Sequence, residues 1–317
     1  MPRTKQIAVV IPAYKVTGQI LEVIAAIPKL VTKIIVIDDC CPEGSGLLVE
    51  ESVRDPRVEV IFHEKNKGVG AAMKSGYRRA LVLGAEIVVK LDGDGQMDPK
   101  RIESLINPLL DGTAEYTKGN RFYEVEAVKR MPKKRIFGNL FLSFFTKFST
   151  GYWHIFDPNN GFTAISRTAL ERIPLHKIDS RYFFESDMLF RLYLQSSVVR
   201  DVPMPAIYGD EKSNLRISRT IFEFPYKHNR NFLKRIAYSY YLKEFNLASL
   251  ELPLALVLGI TGLVRGATAW NLSLETGEAT PAGTVVLTAV LLLSAVQFLL
   301  AFLNFDMGNE PKNIKSV

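Results

Sequence analysis

The chain has 317 residues, 47% of them hydrophobic, and a formal net charge of +7 at pH 7. This composition excludes a disordered chain and is ample for one large or two smaller packed domains. The basic excess does not indicate a nucleic-acid partner, because no nucleic-acid-binding motif accompanies it and much of it flanks apolar segments. The only two cysteines, Cys40 and Cys41, are adjacent, a poor geometry for a disulfide that fits a reducing compartment.

The first half of the chain alternates between strand-like and helical patterns. Short β-branched runs at residues 6–11, 33–37, 58–62 and 86–91 are separated or followed by helical patterns at 19–27, 70–83 and 100–110. Such alternation is typical of an α/β fold with a doubly wound, mostly parallel sheet.

The segment Asp92-Gly93-Asp94-Gly95-Gln96 directly follows the last of these strand-like runs. Alone, an Asp-Gly-Asp sequence is most often an ordinary turn. At the carboxyl end of a parallel strand, however, it places carboxylate and amide oxygens where open α/β sheets bind ligands. Such oxygens suit Mg²⁺ or Mn²⁺, which complete their coordination with substrate phosphates.

The other strand ends also carry chemically useful residues. The first strand runs into Pro12-Ala13-Tyr14, whose ring is suited to pack on a base, and the second ends in Asp38-Asp39. Asn66-Lys67-Gly68-Val69-Gly70 then opens a helix, whose N-terminus favours anions. Each feature alone is ordinary turn chemistry. Together, at consecutive ends of one sheet, they predict a site for a nucleotide diphosphate and a divalent metal.

These segments resemble the ordered motifs of inverting family 2 glycosyltransferases, and most of all the polyprenyl-phosphate sugar synthases of the dolichol-phosphate mannosyltransferase type. The resemblance covers most of residues 6–220 and implies a nucleotide-diphospho-sugar transferase fold of the GT-A type. The segments that carry it are Ile11-Pro12-Ala13-Tyr14, Ile37-Asp38-Asp39, Asn66-Lys67-Gly68-Val69-Gly70-Ala71, Asp92-Gly93-Asp94-Gly95-Gln96, Gly119-Asn120-Arg121-Phe122, Asp157-Pro158-Asn159-Asn160-Gly161-Phe162 and Tyr208-Gly209-Asp210-Glu211-Lys212.

The resemblance also implies roles for individual residues. Asp92 would lie against the nucleotide sugar, and Asp94 and Gln96 would coordinate Mg²⁺ or Mn²⁺. Arg121 and Lys212 would bind phosphate groups, and Asp187 falls where the family carries an acidic residue. The residues implied in nucleotide-sugar binding are Pro12, Ala13, Tyr14, Ile37, Asp39, Gly93 and Lys212.

Two positions depart from the family's pattern. Tyr14 is followed by Lys15-Val16 where Asn-Glu is usual, and Ala206 stands where the family has a basic residue. Arg216 and Arg219 are candidates to supply that second charge. Both departures leave the identity of the donor open.

The C-terminal third contains two long apolar stretches, at residues 247–270 and 282–305. Each is long enough to span a bilayer, and a pair of buried core helices is the alternative. Basic residues flank the pair on both outer sides, whereas residues 271–281 between them have no Lys or Arg. This asymmetry predicts an integral membrane protein with both termini in the cytoplasm. No signal peptide is expected, because residues 1–5 lead into a strand-like run.

The expected organisation is therefore a cytoplasmic catalytic domain at residues 1–221 and a juxtamembrane amphipathic segment at 222–246. The two spans and a cytoplasmic tail at 306–317 follow. The basic run 129–135 precedes apolar residues at helical spacing through 148, which suits a helix in the bilayer interface. The pattern fits equally well a helix that packs in the protein core while its run of basic residues faces solvent.

The chemistry of the acceptor narrows the function. A polyprenyl phosphate arrives as an anion and needs cations to align it more than it needs a base. We therefore expect transfer of a hexose from a nucleotide diphosphate sugar to a polyprenyl phosphate at the cytoplasmic membrane face. A glycosyltransferase acting on a glycan hydroxyl is an alternative that would need a base, for which Asp187 is the candidate. A third possibility is a non-catalytic membrane scaffold that binds nucleotide sugars. The sequence leaves the oligomeric state open, and a homo-oligomer is possible.

Overall fold

The computed structural model describes residues 5–123, 133–158, 160–205, 217–312 and 314. The chain forms two compact units. The first extends to Phe232 and takes up the residues after Glu310, and the second is Leu233–Glu310. The two units are described in turn.

A seven-stranded mixed sheet organises the first unit, in the order β3-β2-β1-β4-β6-β5-β7. β1, β2, β3 and β4 are parallel to one another where they pair, and β5 is parallel to β7. Only β6 is antiparallel to the strands beside it, β4 and β5. The predicted doubly wound, mostly parallel sheet is thus confirmed. The strands are β1 Ile7–Ala13, β2 Lys33–Asp38, β3 Val58–Phe62, β4 Ile87–Lys90, β5 Tyr116–Asn120, β6 Thr163–Ser166 and β7 Val199–Pro203.

Helices cover both faces of this sheet. The helical patterns predicted in the first half match three observed helices, and a short helix at Ser45–Ser52 was not predicted. That helix has only eight residues and begins after Gly44 in a left-handed conformation, so it carries little periodic signal. The helices of this unit are α1 Ile20–Ala25, α2 Ser45–Ser52, α3 Val69–Val82, α4 Ile102–Leu110, α5 Lys133–Thr150, α6 Arg167–Arg172, α7 Phe184–Leu194 and the greater part of α8 Ile217–Ala237.

Side-chain alternation along β1 builds the two layers of the core. Val9 and Ile11 point to one face and pack with α1 and α4, whereas Ala8 and Val10 point to the other. On that second face, Gly76 of α3 lies so close to Val10 that no side chain would fit. Because both faces are covered, β1 and the interiors of β2 and β4 are apolar, as expected for central parallel strands, and the charged residues of β2 and β4 stand at the strand ends.

The antiparallel strand β6 decides what lies beside the carboxyl end of β4. Its register pairs Thr163 with Lys90, so residues 160–162 sit next to the loop that follows β4. Strand periodicity alone does not specify the direction of a strand. The sequence therefore did not predict this juxtaposition.

The second unit is a helical hairpin of α9 Ala248–Thr276 and α10 Ala282–Gly308. Both helices are long and apolar enough to cross a membrane, and only 11% of the most apolar stretch of each is buried. Such exposure argues against soluble core helices. Gly262 makes the close contact between them, because a Cβ there would lie 2.9 Å from Leu292 Cδ2.

Before α9, the chain turns through a π-helix at Tyr238–Lys243. The fully buried Arg235 forms a two-pronged ion pair with Asp306 near the end of α10, with Nη1–Oδ1 and Nη2–Oδ2 distances of 2.6 and 2.9 Å. The Tyr240 hydroxyl donates a third hydrogen bond to Asp306. This buried cluster ties the approach to α9 to the end of α10.

Candidate active site

A cavity of about 130 Å³ lies at the carboxyl end of β4. The loop after this strand shapes one wall. Gly95 adopts φ +76°, a conformation that glycine takes without strain, and Asp94 Oδ1 accepts a hydrogen bond from Gln96 N at 3.0 Å. Asp98 then accepts from Lys100 N and begins the helical turn that leads into α4. The described lining residues are Asp92, Asp94, Gln96, Met97, Asp98, Arg101, Arg121, Asn160, Gly161, Phe162, Met204 and Pro205.

The oxygens of this cavity fit a divalent cation of the predicted kind. Asp94 and Gln96, the predicted metal ligands, share its wall with the carboxylates of Asp92 and Asp98. Within the described part of the chain, no group of three or more His, Cys, Asp or Glu residues forms a complete cage for a metal. Two or three protein oxygens are typical of Mg²⁺, which takes its remaining ligands from water and phosphate.

Asp92 is held by a buried lysine. Lys90, the last residue of β4, has a side chain only 1% exposed, and its Nζ lies 2.7 Å from Asp92 Oδ1 and 3.3 Å from Glu185 Oε1. Burial alone would lower the pKa of Lys90, but the charges of Asp92 and Glu185 outweigh it and raise that pKa above its ordinary value. Lys90 therefore remains an ammonium, and two carboxylates from different elements meet at it.

Arg121 is similarly fixed by an acid. Its Nε and Nη2 donate to the two oxygens of Asp157, at 2.7 and 3.0 Å, and Asp157 is almost fully buried. This bidentate pair fixes the guanidinium plane in the cavity wall. Arg121 thus lines the cavity, anchored by an acid for which no role was predicted, and its binding of a phosphate group stays a prediction.

A second buried lysine holds the loop before β6. Lys118 of β5 is fully buried, and its Nζ donates to the carbonyl of Asn160. Burial lowers the pKa of Lys118 to about 8, although Glu185 and Asp157 act against the shift. The Asn160 side chain in turn donates to the Gly119 carbonyl and accepts from Phe162 N. These bonds fix the loop that leads into β6.

The loops after β1 and β2 are joined to each other. Lys15 N donates to Cys41 Sγ at 3.1 Å, and Val16 N donates to Ser45 Oγ at 3.2 Å. Tyr14 is 37% exposed, with the Lys15 ammonium 5.8 Å from its ring centroid. Tyr14 therefore presents a ring to solvent beside a cation, and its role in holding a nucleotide stays a prediction.

Asp39 is buried and already engaged. Its carboxylate accepts hydrogen bonds from Lys67 N and Gly68 N, at 2.9 and 2.6 Å, and contacts His63 Nδ1 at 2.7 Å. It thereby fixes the loop before α3. A role for Asp39 in holding a nucleotide stays a prediction, and this loop-fixing role was missed.

The remaining residues predicted to bind the nucleotide sugar differ in how accessible their side chains are. The side chains of Ala13 and Ile37 are fully buried in the core, so only their backbone is placed to meet a ligand. Gly93 is also buried, and a Cβ there would lie 3.2 Å from Val16 Cγ2. None of the predicted residues at the ends of β1 and β2 lines the cavity described above. A shared site with that cavity stays a prediction.

Residues 179–181 pack against the N-terminus of α3. The Ser180 carbonyl accepts from Ala71 N, and a Cβ at Gly68 would lie 2.6 Å from that same carbonyl oxygen. The two glycines that precede and open α3 are therefore explained by the close approach of residues 179–181. The Asp39 carboxylate also accepts hydrogen bonds at this terminus, from Lys67 N and Gly68 N, and binding of an anionic ligand there stays a prediction.

Asp187 is 1% exposed and its carboxylate is fully engaged. Oδ2 accepts from Asp179 N at 2.9 Å and pairs with Arg191 at 3.2 Å, while Oδ1 accepts from Asn231 Nδ2 at 3.1 Å. These contacts join α7, α8 and the loop before α7. It is not among the described residues that line the cavity.

Several predicted residues lie outside the described part of the chain. They include Lys212 and the rest of its motif, Ala206, Arg216, Asn159 and most of the basic run 129–135. Their roles stay predictions. The apolar pattern that follows the basic run does form a helix, α5, in which Leu140 and Phe144 are exposed and Ser143 and Thr146 are buried.

Sequence reasoning missed Lys90, Glu185 and the pairing of Arg121 with Asp157. Lys90 did leave a signal, since it is the one charge in the buried strand β4 and stands two residues before Asp92, on the same side of the strand. Glu185 is two residues from Asp187, and only the helix geometry shows which of the two acids faces Lys90.

The fold matches solved glycosyltransferase structures. A glucosyl-3-phosphoglycerate synthase from Mycobacterium tuberculosis, solved with Mn²⁺, uridine-diphosphate-glucose and phosphoglyceric acid, superposes with a TM-score of 0.55 at 18% identity. The match covers 73% of this chain and 79% of that one. At such identity the likeness concerns the fold alone. The mixed sheet and the carboxylate-lined cavity at the end of β4 thus define a sugar-nucleotide transferase fold of the GT-A type.

The chain belongs to glycosyl transferase family 2, whose family model matches residues 8–174. It is 31% identical over 220 residues to a UDP-N-acetylglucosamine–dolichyl-phosphate N-acetylglucosaminyltransferase of Methanococcus voltae, covering 65% of this chain and 87% of that protein. It is 29% identical over 206 residues to a polyprenol monophosphomannose synthase of Mycolicibacterium smegmatis, covering 63% and 77%. The protein is therefore a glycosyltransferase related to polyprenyl-phosphate sugar transferases.

Proposed function

We propose that this protein transfers a hexose, with inversion, from a nucleotide diphosphate sugar to a polyprenyl phosphate at the cytoplasmic face of a membrane. The observation that carries the proposal is the convergence of Asp92, Asp94, Gln96 and Arg121 on one cavity at the carboxyl end of β4. This combination of metal-binding oxygens and an anchored cation suits a pyrophosphate leaving group. Relatives named for dolichyl-phosphate and polyprenol substrates support the acceptor class.

The chain's own residues have distinct tasks in this proposal. Asp94 and Gln96 would hold Mg²⁺ or Mn²⁺, which supplies positive charge where the diphosphate leaves. Asp92, clamped by Lys90, faces the donor sugar, and Arg121, clamped by Asp157, binds a phosphate group. Because both side chains are held before substrate arrives, little reorganisation is required during the reaction. Tyr14 and Asp39 would hold the nucleoside end of the donor.

The environment of Asp187 favours a phosphate acceptor over a hydroxyl one. A hydroxyl must lose a proton to attack, and Asp187 was the candidate base for that alternative. Its carboxylate instead holds Asp179, Arg191 and Asn231 in a buried network. A polyprenyl phosphate is already an anion and has no such requirement.

The membrane arrangement completes the proposal. α9 and α10 would span the bilayer, with residues 1–221 forming the cytoplasmic catalytic domain, 222–246 a juxtamembrane segment and 306–317 a cytoplasmic tail. The basic residues before α9 and after α10, and their absence between the helices, support this orientation. A lipid acceptor would then reach the catalytic domain from the membrane plane.

The test is direct. Purified full-length protein is incubated with a panel of labelled nucleotide diphosphate sugars, Mg²⁺ or Mn²⁺, and either polyprenyl phosphate or a lipid-linked glycan. A labelled polyprenyl-phosphate sugar that is lost with EDTA is the expected product. Product formed only on the glycan acceptor would overturn the proposed acceptor. Binding of nucleotide sugar without transfer to either would favour the scaffold.

A further inference from the structure

Lys90 is an unusual residue for the place it occupies. β4 is a central strand, paired with β1 on one side and β6 on the other, and its other three residues are Ile87, Val88 and Val89. An ammonium is costly to bury there unless it is paired and hydrogen-bonded. Its two partners are the carboxylates of Asp92 and Glu185.

These two carboxylates reach Lys90 from different elements. Asp92 follows two residues after Lys90 and so lies on the same side of the strand. Glu185 belongs to the first turn of α7. Asp92 is the more exposed of the pair, at 28% of its side chain against 14% for Glu185. Lys90 thus links the carboxylate of Asp92, which lines the cavity, to Glu185 in α7.

The backbone at Gly161 packs against the Lys90–Asp92 ion pair. A Cβ at this position would lie 2.6 Å from Asp92 Oδ2 and would also collide with Lys90 Nζ. The backbone of residue 161 therefore passes directly over the ion pair. With Oδ1 hydrogen-bonded to Lys90 and Oδ2 beneath this backbone, the Asp92 carboxylate has little freedom to rotate.

We propose that Lys90 is a positioning residue for sugar transfer, which sets the Asp92 carboxylate against the donor and uses Glu185 as a fixed support. The inference rests on the proposed donor-side role of Asp92. Stability alone does not explain the ion pair, because apolar residues of similar volume in place of buried ion pairs are often neutral or stabilising. A misplaced reacting group, by contrast, costs on the order of 100-fold in rate.

The experiment compares Lys90→Met with Lys90→Arg and with a matched control, Lys74→Met. Lys74 is also a buried lysine, but its Nζ donates to the Ile178 carbonyl and Ser180 Oγ and has no contact with Asp92. For each variant we would measure kcat and donor KM for transfer, the acceptor-independent hydrolysis of the nucleotide sugar, and the thermal unfolding midpoint.

Lys90→Met is expected to lower kcat about 100-fold in both reactions, with donor KM changed less than about threefold, at temperatures well below its unfolding midpoint. The midpoint itself should also fall, because Asp92 and Glu185 lose their shared counter-ion. Lys90→Arg keeps the charge but displaces the donor atoms, so a loss of about tenfold is expected. Lys74→Met should lower the unfolding midpoint and leave kcat near wild type. If Lys90→Met does not fold, Lys90→Arg carries the test by the same measurements.

Wild-type kcat in Lys90→Met, or in Lys90→Arg if only that variant folds, would overturn the inference. So would a loss of kcat in Lys74→Met as large as that in Lys90→Met, at a similarly lowered unfolding midpoint. Neither result would contradict the proposed function. Failure of the wild-type protein to form a polyprenyl-phosphate sugar would contradict that function instead, while donor hydrolysis would still report on Lys90.

Discussion

Asp187 and Arg191 form an ion pair one helical turn apart in α7, with Arg191 Nη2 3.2 Å from Asp187 Oδ2. Both side chains are largely buried, and Asp187 also bonds to Asp179 N and Asn231 Nδ2. The pair therefore joins the start of α7 to the loop before it and to α8. Its place in the fold indicates a structural task for an acid that the sequence presented as a candidate base.

Asp187→Asn is expected to destabilise the protein without removing the chemistry. The amide keeps the shape but loses the charge opposite Arg191, and removing one partner of a buried ion pair costs about 3–5 kcal/mol. Thermal unfolding in detergent should show this loss, with kcat within about tenfold of wild type well below the midpoint. Arg191→Gln should lower the unfolding midpoint in the same way and also keep kcat within about tenfold of wild type. A loss of several orders of magnitude in kcat for Asp187→Asn alone would restore the base-requiring alternative.

Asp94→Asn is expected to remove metal-dependent transfer. Losing one ligand carboxylate removes several kcal/mol of charge stabilisation, or on the order of 1000-fold in kcat. Manganese bound in the presence of a nucleoside diphosphate, measured by electron paramagnetic resonance, should fall in parallel. Asp111→Asn, an exposed acid after α4, is the matched control. Undiminished manganese binding by Asp94→Asn would remove its role as a ligand.

His228 is expected to make stability fall in acid. It is 2% exposed, its Nδ1 contacts Ser149 Oγ at 2.7 Å, and the rings of Phe145, Phe183 and Phe224 surround it. Burial lowers the pKa of His228 to about 4. The unfolded chain, with an ordinary histidine pKa of about 6.5, therefore binds more protons between those two values, and stability drops as pH falls through that range.

The expected loss between pH 8 and pH 5 is about 2 kcal/mol from this residue. Denaturant unfolding of wild type and His228→Gln at the two pH values measures it as the difference between their pH dependences. The glutamine variant should be less stable at pH 8 yet lose less on acidification. Equal acid sensitivity of the two proteins would contradict the assignment of this effect to His228.

Asp306→Asn is expected to weaken the helical hairpin of the second unit. Arg235 is fully buried against Asp306, and removing one partner of a buried pair costs about 3–5 kcal/mol. Unfolding in a graded detergent mixture should show a lowered midpoint. The double variant Arg235→Met/Asp306→Leu removes both charges and should regain much of the loss. Equal destabilisation by the single and double variants would contradict a charge-based explanation.

Much of the first unit was predictable from local pattern. The runs around Val9, Ile35, Val60 and Val88 are short, apolar and rich in β-branched residues, so each predicts a strand without reference to the rest of the chain. Two of the strand ends were predictable too, because Asp39 directly follows β2 and Asp92 stands two residues after β4. The antiparallel β6 was not, since no residue in Thr163–Ser166 encodes the direction of its neighbours.

By itself, the sequence determined the strand-helix alternation, the placement of the candidate metal ligands Asp94 and Gln96 after β4, and two apolar segments long enough to span a membrane, because these properties depend on residues adjacent in the chain. Only the tertiary structure decided which charges meet. It brought Glu185 to Lys90 and Asp157 to Arg121, and it turned Asp187 into a buried network away from the cavity. Ion pairing depends on distances of a few ångströms between distant residues, and only the folded chain sets those distances.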